Sequence, residues 1–267
     1  MSAPAALRVV GLGPGEAALL APEALAALHD SQVIAGYGAY LDLIDPALLA
    51  DKEVIVTGMT GEMRRVNAAI DSALAGRATA LVCSGDPGIY ALAGLALELL
   101  EERGIVPDAL PFIVVPGIPA LCAAAAILGA PLTHDFACVS LSDLLTPWAL
   151  IRKRLDCAFA GDFVVVLYNP RSKRRVSQLD EALELALAHR RVETPVGLVR
   201  NAKRKGEQAA LFSLGTFDPS LVDMLSLVIV GNSQSRIVPG SGKQATEWAS
   251  GARLLTPRGY LEKYGNT

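Results

Sequence analysis

Apolar runs short enough for buried strands alternate with segments of helical spacing along the first half of the chain. Residues 7–11, 32–35, 53–57, 79–83 and 112–115 read as strands, and 22–28, 62–75, 90–103 and 118–128 as helices. The strands are continuously apolar rather than alternating, which is the pattern of a mostly parallel sheet covered on both faces. Gly129-Ala130-Pro131 then punctuates the chain and the pattern restarts. Strands are predicted over 136–141, 163–168, 195–199, 209–213 and 225–230, with helices over 147–157 and 177–188. No internal repeat or low-complexity linker separates the halves. The expected fold class is α/β, with two α/β domains of mostly parallel or mixed sheets. Their expected limits are 1–130 and 131–240, followed by a C-terminal tail over 241–267.

Composition changes this picture in two ways. Hydrophobic residues make up 52% and charged residues 19%, which excludes a disordered chain and calls for a large core. Aromatics are only 5%, so Ala, Leu and Val must fill that core. The net charge of −3 gives no reason to expect a nucleic-acid partner, but its distribution is uneven. Residues 1–134 carry 6 Lys+Arg against 14 Asp+Glu, whereas 135–267 carry 18 against 13. An acidic front and a basic back fit domains that face differently charged ligands; solvated helix faces are the competing reading.

Cys83, Cys122, Cys138 and Cys157 are too far apart for zinc-ligand spacing, so no metal site is expected. All four read as small hydrophobes in a reducing compartment, and Phe112, Trp148, Trp248 and the methionines as packing residues. The N-terminus lacks the charged and apolar regions of a signal peptide. The uncharged run 110–133 is broken by Pro111, Pro116, Pro119 and Pro131. It therefore reads as a strand, a turn and a helix rather than a membrane span. A cytoplasmic protein with no membrane partner is expected.

In parallel sheets, ligands collect beyond the carboxyl ends of the strands. Three Gly/Pro loops follow predicted strands there: Gly11-Leu12-Gly13-Pro14-Gly15, Ser84-Gly85-Asp86-Pro87-Gly88 and Val115-Pro116-Gly117-Ile118-Pro119-Ala120. The first is not a dinucleotide fingerprint, because Glu16 takes the place of its third glycine and Pro14 lacks an N–H. The second is a good turn sequence carrying one carboxylate, suited either to a tight turn or to a cationic ligand.

GLGPG, SGDPGIY and VPGIPA, in this order and spacing, resemble the tetrapyrrole methylase family, and the likeness runs through FVVVLYNP, VRNA and IVGNS over residues 7–235. The resemblance implies an enzyme that binds S-adenosylmethionine between two α/β domains, methylates a corrinoid or porphyrinoid small molecule and releases S-adenosylhomocysteine. GYGAYLDLI, HDFACVSLSDLLTPW, LYNPRSKRR and TPRGY narrow it to members of cobalamin synthesis that methylate carbon 17 of precorrin-3B. Those members also contract the ring, with carbon 20 leaving it as an acetyl group. Their cobalt-factor counterparts share these motifs. The resemblance further implies a homodimer.

Carried over by motif, the family's cofactor positions fall on Gly13, Pro14, Ser84, Gly85, Asp86, Ile89, Ile118, Pro119 and Ala120. Tyr168, Asn201 and Ala202 are the positions contributed by the second domain. Pro119 replaces the usual Ser or Thr, and Tyr37 stands where uroporphyrinogen methylases carry a catalytic Asp. Methyl transfer from a sulfonium needs alignment rather than a nucleophile or a metal. Ring contraction also needs an acid and a base, for which Tyr37, Asp143 and Asn169 are candidates. Thr146 and Pro147 read as N-cap and first residue of the next helix, leaving Asp143 free.

Arg171, Lys173, Arg174 and Arg175 precede a predicted helix, where cations oppose the helix dipole. Arg171, Lys173 and Arg174 are therefore candidate ligands for the substrate's carboxylates; solvated surface is the competing reading. Arg152–Arg154 and Lys203–Lys205 read as surface. Two rival functions remain: another tetrapyrrole methylase acting at a different carbon, and a non-catalytic binder of nucleotide or tetrapyrrole.

Overall fold

The computed structural model describes residues 3–106, 108–240 and 251–265; Trp248 lies outside them. The chain forms two compact units, Met1–Ala120 and Leu121–Thr267.

The first unit is built on five parallel strands: β1 (Leu7–Gly11), β2 (Val33–Tyr37), β3 (Glu53–Thr57), β4 (Thr79–Cys83) and β5 (Phe112–Val115). Their order is β3-β2-β4-β1-β5. Both faces are covered, which explains the continuous apolar runs. Leu7, Val9, Ala35, Leu81 and Cys83 pack with Val66, Ala69, Ile70 and Ala73 of α3 (Glu62–Leu74) and Ala96 and Leu99 of α4 (Leu92–Glu102). The intervening Val10, Ile34, Ala80 and Val82 pack with Ala24 and Leu28 of α1 (Pro22–His29) and Leu41 of α2 (Gly38–Leu41). Each fully buried Val, Leu or Ile contributes about 1.5–3 kcal/mol. Helix α4 starts later than its periodicity predicts, because Tyr90 has φ +52° and Ala91 is extended.

The second unit begins with α5 (Ala120–Leu128), which the sequence grouped with the first. The physical reason is packing. The Leu121 N–H donates to the Tyr168 hydroxyl at 2.9 Å, and Leu128 lies against the backbone of Gly197. Then come β6 (Gly129–Ala130), β7 (Phe136–Ser140), α6 (Trp148–Ala160), β8 (Val164–Tyr168), α7 (Ser177–His189), β9 (Pro195–Arg200), β10 (Gln208–Ser213) and β11 (Ser226–Val230). The main sheet has the order β10-β9-β11-β8-β7. Only β7 and β8 are parallel neighbours; the other pairs are antiparallel. Strands β7, β8 and β9 consequently end on one edge.

Several sequence expectations need correction. Residues 253–255 of the expected tail form β13 (Arg253–Leu255), which pairs with β12 (Arg236–Val238) and with β6; α8 (Tyr260–Tyr264) follows. Thr256 is fully buried, shares a hydroxyl contact with Ser235 at 2.7 Å and accepts a hydrogen bond from Thr133. Thr146 is not a cap: Pro147 occupies the N-cap of α6, and its carbonyl accepts from Leu150 and Ile151. Met59, Met63 and Met224 are exposed rather than packed, Met63 lying off the apolar stripe of α3. Cys83 is buried and Cys138 half-buried, but Cys122 and Cys157 are exposed on helices. Phe112 and Trp148 do pack against their cores. Among the described residues no helix is long and apolar enough to cross a membrane, and no group of three His, Cys, Asp or Glu is placed to hold a metal ion.

Candidate active site

The three Gly/Pro loops follow β1, β4 and β5, which are adjacent in the first sheet. Backbone contact joins them. Gly13 and Gly85 exchange hydrogen bonds at 2.8 and 3.1 Å, and both have positive φ. A Cβ on Gly117 would stand 2.2 Å from the Gly85 carbonyl oxygen, and one on Gly11 would stand 2.7 Å from the same atom. Only glycine permits this approach. Gly11 and Gly117 are structural essentials that motif reading passed over.

Asp86 ties two loops together. Its Oδ1 accepts from the Gly88 N–H at 2.8 Å and its Oδ2 from the Gly117 N–H at 3.1 Å. The carboxylate is therefore a loop staple as well as a negative charge. A Cβ on Gly85 would make only ordinary van der Waals contact, with Pro119 Cα at 3.7 Å, Ala120 N at 3.8 Å and Ile118 O at 4.0 Å. Ser84, Ile89, Ile118, Pro119 and Ala120 around it are half-buried, and Pro14 is buried. Tyr37 ends β2 on the same edge and meets the Tyr40 ring edge to face, centroids 5.1 Å apart. Behind these loops, burial pushes the Cys83 thiol up to about 11, against the Leu92 N–H and Arg65, which favour the thiolate. It stays a protonated packing group.

The second unit presents side chains instead. Asn169, immediately after β8, has φ +48° although a proline follows it, an uncommon combination. Its Nδ2 donates to Ser140 Oγ at 3.0 Å, and the guanidinium of Arg175 donates twice to its carbonyl, at 2.7 and 3.2 Å. Burial lowers the Arg175 pKa, and Asp143 opposes that shift. Asp143 is exposed and accepts from Gln178 Nε2 at 2.9 Å.

The basic run therefore separates by role. Arg175 is buried and structural, and Arg171 donates to the Pro219 carbonyl at 2.8 Å. Lys173 and Arg174 are exposed, without an ion pair among the described residues. Tyr168 accepts from the α5 amide, a link that no local signal announces because the partners lie 47 residues apart. Asn201, with φ +51°, and half-buried Ala202 follow β9, separated from the β8 loop by β11.

A parallel sheet edged by three clasped glycine loops, followed by a mixed sheet with LYNP and VRNA loops, defines the class. The chain belongs to the family described as Tetrapyrrole (Corrin/Porphyrin) Methylases, whose sequence model matches residues 6–218. It is 45% identical, over 95% of its length and 99% of the relative's, to a probable cobalt-factor III C(17)-methyltransferase of Salmonella typhimurium. It is 38% identical to a precorrin-3B C(17)-methyltransferase of a Sinorhizobium species, over 89% of this chain and 92% of that one. Relatives from Priestia megaterium and Archaeoglobus fulgidus are longer, and the chain spans 46% and 53% of them. Among solved structures, the methyltransferase CobJ superposes with a TM-score of 0.84 at 34% identity, covering 95% of this chain and all of that one. A uroporphyrin-III C-methyltransferase from Thermus thermophilus, solved with S-adenosyl homocysteine, shares the fold with a TM-score of 0.63 at 24% identity, over 85% of this chain and 97% of that one.

Proposed function

We propose that the protein is an S-adenosylmethionine-dependent C-methyltransferase of cobalamin synthesis that methylates carbon 17 of precorrin-3B with ring contraction to precorrin-4. The observation that carries this reading is the backbone clasp of the three glycine loops, in a chain 38–45% identical to relatives named for that reaction. A second reading, the cobalt-bearing counterpart of the same substrate, is favoured by the 45% identity to the Salmonella protein named for cobalt-factor III.

The residues fit the cofactor. The Gly85 backbone is faced by the Ile118 carbonyl, the Ala120 amide nitrogen and half-buried apolar side chains, which suits a nucleoside held by backbone contacts. In this reading Gly13, Pro14, Ser84, Gly85, Asp86, Ile89, Ile118, Pro119 and Ala120 are cofactor positions, as are Tyr168, Asn201 and Ala202. S-adenosylmethionine supplies a methyl group already activated on a sulfonium. The loops align the reaction and exclude water, and Asp86 places negative charge close to Gly85. Asn169 and Asp143 offer polar groups held by Ser140, Arg175 and Gln178, and Tyr37 offers a hydroxyl for proton movement. Lys173 and Arg174 attract the polycarboxylate substrate, assisted by Arg171. The protein works in the cytoplasm as a homodimer.

The test is incubation with S-adenosylmethionine and either metal-free precorrin-3B or its cobalt complex, followed by mass spectrometry. Gain of one methyl group with a contracted ring is expected from one of the two. Ligand-free behaviour toward both, with S-adenosylhomocysteine still bound, would assign the protein another tetrapyrrole. Failure to bind S-adenosylhomocysteine would overturn the methyltransferase reading.

A further inference from the structure

Arg65 is only 3% exposed, yet its Nε is buried without a hydrogen-bond partner. Its one ion pair among the described residues is with Glu62, Nη2 to Oε1 at 4.0 Å, which is too long for a hydrogen bond. Thr57, 6% exposed at the end of β3, also buries its Oγ1 without a partner. Burying a guanidinium that holds a single long ion pair and an unsatisfied Nε is costly, and an apolar side chain of similar volume would be more stable there. The packing of the free protein therefore gives no reason for a guanidinium at this position.

The topology puts these groups at the same edge of the first sheet. Arg65 lies one turn inside α3, and helical side chains lean toward the N-terminus, which carries the guanidinium toward the carboxyl edge of the sheet. Thr57 pairs with Tyr37 in parallel register, so both side chains project on one face. Ala35 and Ile55, two residues earlier, face the α3–α4 core, as does Cys83. Thr57 continues that row toward α3, and Arg65 is close enough to Cys83 to oppose the upward shift of its thiol. Thr57 Oγ1 also lies against the α3 N-terminus, 3.3 Å from where a Cβ of Gly61 would stand.

We propose that Arg65 and Thr57 form an anion subsite at the carboxyl edge of the first sheet that takes a carboxylate group, supplied by a side arm of the substrate. The source of the carboxylate rests on the function proposed above; the subsite itself does not. A carboxylate there accepts from the guanidinium and from the threonine hydroxyl, pairing both buried groups on binding.

Arg65→Met and Thr57→Val remove the polar atoms while keeping most of the volume. The free variants are expected to melt at or above the wild-type temperature. Arg65→Met should weaken corrinoid binding about ten- to a hundred-fold, the range of a charged hydrogen bond, and leave S-adenosylhomocysteine affinity unchanged. Loss of S-adenosylhomocysteine affinity instead would support the same subsite, filled by the carboxylate of the cofactor. If wild type binds neither ligand, the function reading fails and acetate becomes the probe. At equal ionic strength acetate should then raise the melting temperature of wild type above its value in chloride, and not that of Arg65→Met. Wild-type affinity for both ligands in folded Arg65→Met and Thr57→Val, or no acetate effect on wild type, overturns the proposal.

Discussion

The two sheet edges are built from different materials. On the first, the loops after β1, β4 and β5 are joined through their backbones, and a methyl group on Gly11 or Gly117 would collide with the Gly85 carbonyl. On the second, the loops after β7 and β8 are joined by side chains: Asn169 to Ser140, Arg175 to the Asn169 carbonyl, and Gln178 to Asp143. A backbone-built edge is intolerant of volume and indifferent to the chemistry of its neighbours. A side-chain-built edge is the reverse. The division suits the proposed function, in which a common cofactor needs a rigid cradle and a particular polyanion needs specific polar groups.

This contrast makes graded predictions. Gly117→Ala should have the largest effect, costing about 3 kcal/mol in denaturant unfolding as the Gly85 carbonyl is displaced. S-adenosylhomocysteine binding should be lost with it. A folded, tightly binding Gly117→Ala protein would show that the first edge is softer than its packing implies. Arg175→Met comes next. It leaves the Asn169 carbonyl without its two donors and should cost about 2 kcal/mol, while cofactor affinity, read by calorimetry, stays near wild type.

Gly85→Val should destabilise by only about 1–2 kcal/mol, the cost of a side chain at positive φ. Its affinity for S-adenosylhomocysteine should fall much further, because the branched side chain would stand between the proposed cofactor and the loop backbone. Equal affinity in the folded variant would move the cofactor elsewhere. Replacing Arg171, Lys173 and Arg174 together by Gln should weaken corrinoid binding by about 0–1 kcal/mol for each exposed contact. The loss should shrink in high salt, with cofactor affinity unaltered; an unchanged substrate affinity at low salt would leave these residues as surface.

The smallest effect concerns pH. Burial pushes the Asp223 carboxyl up, but donation from Arg200, Ser226 and the Leu225 N–H outweighs it, and the net shift is downward. A depressed carboxylate stabilises the fold above its unfolded pKa, and that contribution is lost as pH falls through the folded pKa. Asp223→Asn should therefore flatten the acid-side fall in urea midpoint below about pH 4. An identical pH profile for the two proteins would mean that Asp223 adds nothing.

Local pattern was enough for the elements themselves. Strands β1, β3, β4 and β5 lie where short, mostly apolar runs place them; the inner strand β4 is buried at every position, whereas the edge strands β3 and β5 leave Val56, Ile113 and Val114 exposed. Helix α3 follows from the spacing of Val66, Ala69, Ile70 and Ala73. The three Gly/Pro loops were legible as candidate chemistry, since their turn residues sit directly after those strands. Long-range contact was not legible. The bond from Leu121 to Tyr168, the pairing of residues 253–255 with 129–130, and the crowding of Gly117 against Gly85 join residues that no local period relates. The same holds for charge. Arg171, Lys173, Arg174 and Arg175 look alike in sequence, yet one is buried under the Asn169 carbonyl, one is tethered to Pro219 and two reach solvent. Arg65 and Thr57 fall in a predicted helix and strand, and nothing in that pattern marks the Arg65 Nε and Thr57 Oγ1 that the fold buries without a hydrogen-bond partner. Side-chain periodicity sets which face a residue takes; whether it meets a partner there depends on chain segments that arrive from elsewhere in the fold.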